Sequence, residues 1–149
     1  MDVQVPEGNA NGKAPGNLLG SVAGDAAVAK VLVIDDSNTI RRSAEIFLKQ
    51  GGHEVVLAED GFDALAKLSD YQPDLVFCDI LMPRLDGYQT CAIIKRNPAF
   101  AGVPVIMLSS KDGLFDKARG RMVGSQDYLT KPFTKDQLLK AVLAHRRGV

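Results

Sequence analysis

Three aspartates and a lysine stand where short apolar runs end. Val31-Leu32-Val33-Ile34 runs into Asp35-Asp36, Leu75-Val76-Phe77-Cys78 into Asp79, and Tyr128-Leu129-Thr130 into Lys131-Pro132, while a further run over 103–108 ends in Ser109-Ser110. Carboxylates gathered at one place form a hard oxygen set that suits Mg2+. Zinc's usual cysteine and histidine ligands are missing from these positions. Two carboxylates about 4 Å apart repel by about 4 kcal/mol at an effective dielectric near 20. Either one of them keeps its proton, or a cation lies among them. A carboxylate is also a competent nucleophile toward phosphorus, forming an acyl phosphate while a metal neutralises charge on the group in transfer. Lys131 adds a second cation, and the Ser109 hydroxyl can bond a phosphoryl oxygen. The set predicts phosphoryl transfer to Asp79.

These residues converge only if the runs are neighbouring strands with their carboxyl ends at one edge. Leu75 to Cys78 shows no polar alternation, so it reads as a strand covered on both faces, as in a parallel sheet between helices. A charge at its end has lost water on most sides, which costs several kcal/mol without compensation. From Lys30 onward, apolar runs and helical patterns alternate at the spacing of βα units.

Ser37 is placed to cap a first helix with Ile40, Ala44, Phe47 and Leu48 on one face, stopped by Gly51-Gly52. Glu54–Ala58 reads as the second strand. A second helix with Phe62, Leu65 and Ala66 inward ends at Gln72-Pro73. Asp86 caps a third helix that carries Tyr88, Cys91, Ala92 and Ile94 and closes at Asn97-Pro98. The fourth, over about 113–123, is weakened by Gly113, Gly120 and Gly124, each interior glycine costing about 0.5–1 kcal/mol relative to alanine. A marginal element is where conformational change is easiest. The last helix starts at Thr134, turns Leu138, Ala141 and Val142 to the sheet, and sets Arg146 and Arg147 at the negative end of its dipole. Five strands and five helices predict a doubly wound α/β domain. A strand order of 2-1-3-4-5 brings Asp35, Asp36 and Asp79 to the switch point.

The 149 residues, 46% of them hydrophobic, suffice for one domain and a tail. Eighteen basic residues balance eighteen acidic ones, which leaves no global field to draw in nucleic acid or an anionic membrane. No run is long enough to span a membrane, and the amino terminus lacks the pattern of a signal peptide. Cys78 and Cys91 read as buried free thiols, consistent with a cytoplasmic protein. His53 and His145 fall in different elements without partners at ligand spacing and read as solvated surface. Residues 1–29 carry Gly8, Gly12, Gly16, Gly20 and Gly24 among polar neighbours, a composition expected of a flexible tail before a domain over 30–149.

Asp35-Asp36, Asp79 with Met82-Pro83 following, Ser109 and Lys131-Pro132 resemble the signature of response-regulator receiver domains of the chemotaxis (CheY-like) type, over about residues 30–147. The resemblance implies a flavodoxin-like receiver fold in which Asp79 accepts phosphate from a kinase phosphohistidine. It further implies that Asp35 and Asp36, with Asp79 and the main-chain carbonyl of Leu81, bind Mg2+. Ser109 would move to the phosphate, Tyr128 would swing inward behind it, and Lys131, joined to Pro132 by a cis bond, would hold a phosphate oxygen. Such a chain is a signalling receiver that catalyses its own phosphorylation and slow dephosphorylation, not an enzyme acting on other substrates.

The stretches 61–65, 84–91 and 109–117 are similar to twitching-motility regulators of the type IV pilus chemosensory system. That likeness implies a chemotaxis-like sensor histidine kinase as partner. Pilus-control proteins would be met through the face of the fourth helix, fifth strand and fifth helix. With no DNA-binding module in the sequence, output is expected through protein contacts. Leu81 departs from the best-known chemotaxis receivers, which can place an amide there to orient attacking water, and Lys111 could also shield the phosphate.

Two other classes fit the fold. A flavodoxin-like cofactor binder should offer Gly, Ser and Thr amides after the first strand, whereas Asp35-Asp36-Ser37 would repel its phosphate. A non-phosphorylated receiver-like interaction module should lack Asp79 or Lys131, and both are present.

Overall fold

Five parallel strands in the order β2-β1-β3-β4-β5 form the centre of the molecule. The computed structural model describes residues 28–110 and 116–146. The expected tail, save its last two residues, and Lys111, Gly113 and Arg147 lie outside the described residues. The strands are β1 (Lys30–Ile34), β2 (Glu54–Ala58), β3 (Leu75–Asp79), β4 (Val105–Ser110) and β5 (Asp127–Lys131). Between and after them run α1 (Asn38–Gln50), α2 (Gly61–Tyr71), α3 (Gly87–Arg96), α4 (Lys117–Met122) and α5 (Lys135–His145).

The unalternating apolar runs are explained by two cores, one on each side of the sheet. Leu32, Ile34, Val76, Cys78 and Met107 point toward Ala64 and Leu68 of α2 and Tyr88, Cys91 and Ile94 of α3. Val31, Val33, Leu75, Phe77, Ile106 and Leu108 point toward Ala44 and Leu48 of α1 and Leu138, Ala141 and Val142 of α5. Each such large side chain contributes about 1.5–3 kcal/mol when fully buried. The edge strands β2 and β5 are only partly buried, and there the apolar run is weaker.

The helix starts follow their caps. Ser37, Asp60, Asp86, Asp116 and Thr134 each accept a backbone N–H from the first turn, and Asp86 and Thr134 complete reciprocal boxes with Gln89 and Gln137. Such caps contribute about 1 kcal/mol each. Cys78 and Cys91 are buried and free, as expected.

Five expectations need correction. The inward face of α2 is Gly61, Ala64 and Leu68 with Leu65 at its flank, while Phe62 is 52% exposed and Ala66 is exposed. Gly61 sets this phase, because a Cβ there would lie 2.4 Å from Thr90 Oγ1 and only a glycine packs so closely on α3. His53 is not solvated. It is buried, and its Nδ1 accepts the Ala29 N–H at 3.0 Å. Burial, with the charge of Arg146 adding, holds its pKa below the ordinary histidine value. His145 is half-buried and lies 2.9 Å from an Asp127 carboxylate oxygen. β4 starts at Val105 and not at Val103, since Pro104 has no N–H for the ladder, and Ser109 and Ser110 belong to the strand itself. The described part of α4 begins at Lys117, with Asp116 as its cap.

Candidate phosphoacceptor and metal site

Register brings the polar run ends together. Ile34 pairs with Cys78, so the next residues, Asp35 and Asp79, leave the sheet side by side. Asp79 pairs with Leu108 and Ser110 with Lys131, which brings Ser109 and Lys131 to the same edge. The Lys131 ammonium lies 3.1 Å from Asp35 Oδ2 and 2.9 Å from Asp79 Oδ1. The Lys131–Pro132 peptide is cis.

Asp35 is fully buried and Asp79 is 3% exposed, whereas Asp36 stands at the rim. Asp35 is held from several sides. Its Oδ1 accepts the Ser37 N–H at 2.8 Å, and its carbonyl oxygen accepts Arg41 Nη1 at 2.6 Å. One oxygen from each of Asp35, Asp36 and Asp79 lies within 4.8 Å of the others. Burial pushes the Asp79 carboxyl up to about 6. The Lys131 hydrogen bond opposes the rise, and the charge of Asp35 and a hydrogen bond with Asp36 add to it. Burial works against the Lys131 charge, but its bonds to Asp79 and Asp35 outweigh that cost and raise its pKa. Lys131 therefore stays protonated and serves as the counterion of two crowded acids.

The donor set fits a hard divalent cation. Three carboxylates that can each bring an oxygen within 4.8 Å of the others are the hard oxygen ligands such an ion takes. The carboxylates also border an open cavity of about 170 Å3, lined by Asp36, Asp79, Ile80, Leu81, Ser109, Ser110 and Lys131. At about 30 Å3 per water, this admits a phosphoryl group or several waters.

Five of the seven sequence-derived site residues, Asp36, Asp79, Leu81, Ser109 and Lys131, line this cavity, and Asp35 joins them through its ion pair with Lys131. Ser109 is buried, and its hydroxyl donates to the Ser110 carbonyl at 3.3 Å. The Leu81 side chain is 69% exposed at the mouth. Tyr128 does not line the cavity. It packs, half-buried, on the α2–α3 side of the sheet, and the Lys117 ammonium lies 5.5 Å from its ring centroid. Sequence reasoning missed Arg41 and Gly87. Arg41 lies one helical turn after the cap Ser37, a spacing that points it back at the Asp35 loop. Gly87 follows the cap Asp86, a place where glycine is poor for a helix and so marks a close approach.

Residues 31–143 match the protein family described as the response regulator receiver domain. The chain belongs to this family. Among curated proteins, the receiver is 68% identical to Protein PilG of Pseudomonas aeruginosa over 116 residues, covering 78% of this chain and 86% of PilG. Protein PilH of the same organism is 38% identical over 121 residues, covering 81% of this chain and all of PilH. Among solved structures, Vibrio cholerae chemotaxis protein CheY4 superposes with a TM-score of 0.75 at 33% identity, covering 79% of this chain and 98% of that chain. The receiver is thus part of a two-component response regulator with the CheY-like flavodoxin fold.

Proposed function

We propose that residues 30–149 act as a Mg2+-dependent phosphoacceptor in which Asp79 takes a phosphoryl group from a sensor histidine kinase. The observation that carries this reading is Lys131, shared at 3.1 and 2.9 Å between two buried carboxylates beside an open cavity with a third carboxylate at its rim. An Asp79 oxygen attacks phosphorus as the bond to the kinase imidazole nitrogen breaks. The electron pair returns to that nitrogen, leaving a mixed anhydride on Asp79. Asp35, Asp36, Asp79 and the Leu81 carbonyl would hold Mg2+, which supplies charge neutralisation on the group in transfer. Lys131 exchanges a carboxylate partner for a phosphoryl oxygen, and the Ser109 hydroxyl donates to another.

Phosphorylation adds about −1.5 to −2 charge beside Ser109 and Lys131. Movement of Ser109 inward would let Tyr128 follow and repack the α4, β5 and α5 face. That change is the means of addressing downstream partners. A role in type IV pilus control under a chemotaxis-like kinase is supported by the identity to PilG, and a cytoplasmic location goes with a receiver domain of this family.

Incubation with acetyl phosphate tests the chemistry. One phosphoryl group per chain is expected by intact mass in Mg2+, and none after EDTA. Absence of labelling in Mg2+ overturns the reading. The same assay addresses Leu81, which cannot hydrogen-bond a water at the cavity mouth. Leu81→Asn is expected to shorten the phosphoryl lifetime about tenfold, less than the roughly hundredfold minimum of a positioned proton-transfer group, because an amide orients the water without taking its proton. An unchanged decay rate would remove the case for Leu81 as the brake.

A further inference from the structure

Arg84 has a backbone angle φ of +69°, a region L side chains rarely adopt. It is the centre of a three-residue turn in which the Leu85 N–H donates to the Pro83 carbonyl at 2.7 Å. Turns of this hand are rare and strained. Glycine would take the conformation freely, so the arginine side chain has to supply something in return. Strained backbone persists where surrounding contacts over-determine it, and such places cluster at functional sites.

The contacts are specific. Arg84 Nη2 donates to Asp60 Oδ2 at 2.8 Å, and the guanidinium lies 5.1 Å from the Phe62 ring centroid, within the range of attraction by an aromatic face. The other oxygen of Asp60 caps α2 through the Asp63 N–H at 2.7 Å, so the partner is itself fixed. Gly61 lies between Asp60 and Phe62, and a Cβ on it would approach Leu85 Cδ2 to 2.7 Å. The β2–α2 corner and the β3–α3 loop therefore meet directly, with Arg84 fastened across the joint. This also accounts for Phe62, which faces outward and serves as the platform for the guanidinium.

The loop so fastened carries Leu81. It leaves β3 at Asp79 and is tied at its far end by the Gly87 N–H, which donates to the Ile80 carbonyl at 2.8 Å. We propose that Arg84 is a positioning residue for the metal site, with its latch onto Asp60 and Phe62 holding the Leu81 carbonyl where it can ligate Mg2+. The inference rests on the proposed metal site and assigns its outer support to residues that touch neither metal nor phosphate.

Electrostatics and positioning predict opposite signs, which makes the test decisive. Removing a cation from the neighbourhood of a metal site strengthens metal binding by Coulomb's law. Removing an outer support weakens it, by about tenfold for typical partners of metal ligands. Isothermal titration with Mg2+ of the full chain and of Arg84→Gly, which relieves the turn and loses the latch, is expected to show about tenfold weaker binding in the variant. Thermal melting should show the variant folded. Phe62→Leu, which changes no charge, should weaken binding in the same direction, and Arg84→Lys, able to pair but not to stack, should recover part of the loss. Unchanged or tighter Mg2+ binding by Arg84→Gly overturns the latch while leaving the metal site standing. No binding by the wild-type chain overturns the metal site, and the latch with it.

Discussion

Asp79→Asn is expected to take up no phosphoryl group from acetyl phosphate or a kinase and, in metal-free buffer near pH 7, to melt several degrees above the wild type. The loss follows from chemistry, since a carboxamide is no nucleophile toward phosphorus at neutral pH. The gain follows from the cost of an ionised group at 3% exposure beside fully buried Asp35. A carboxyl that titrates at about 6 in the folded chain and near 3.8 when unfolded disfavours folding wherever it is ionised. The full shift corresponds to a ceiling of about 3 kcal/mol. That shift is already net of the Lys131 bond, and the buried carboxamide carries a desolvation cost of about 1–2 kcal/mol of its own, which leaves a net gain of about 1–2 kcal/mol.

The sign has a pH signature. The wild-type penalty is fully present above pH 6 and vanishes below the unfolded value, so the advantage of Asp79→Asn should shrink as pH falls from 6 to 4. Urea melts across that range in EDTA measure it. A variant less stable than wild type at pH 7 would mean that Lys131 already compensates both acids.

Gly87→Ala is expected to destabilise the domain by about 3 kcal/mol, at the upper end of overpacking costs. Alanine is the better helix former by about 1 kcal/mol, so propensity alone predicts a gain at this first position of α3. Packing reverses that. The added Cβ would lie 2.3 Å from the Asp79 carbonyl oxygen and 2.7 Å from Ile80 Cα, and both are backbone atoms that no rotamer can move aside. The strand end that presents Asp79 would have to shift, so phosphoryl uptake should fall together with the urea midpoint. A neutral substitution would show that α3 can slide away from β3 without disturbing the site.

The topology and most of the site were legible because buried parallel strands write themselves as uninterrupted apolar runs, and the chemistry sits where those runs stop. Asp35, Asp79 and Lys131 each follow such a run, and the parallel register does the rest. What was not legible depended on who packs against whom. The phase of α2 was misjudged because Phe62 looks like a core residue, and its outward role is set by Arg84, 22 positions on. His53 was read as solvated because nothing local announces that its ring closes over the Ala29 N–H. The start of β4 lies past the first apolar residues of its run because Pro104, apolar as it is, has no N–H for the ladder. Tyr128 stands outside the cavity because it lies three residues before Lys131 on β5, an odd offset that turns it to the opposite side of the sheet.

The two ion pairs of Lys131 span 96 and 52 positions of sequence. During synthesis, a chain that has emerged only as far as β4 holds its acidic residues without the ammonium that balances them. The last strand of the sheet therefore brings the counterion as well as the edge, and the balanced set of charges exists only once β5 has been made. A ribosome stalled before Lys131 would carry a nascent chain with all three clustered aspartates and no ammonium to pair with Asp35 and Asp79.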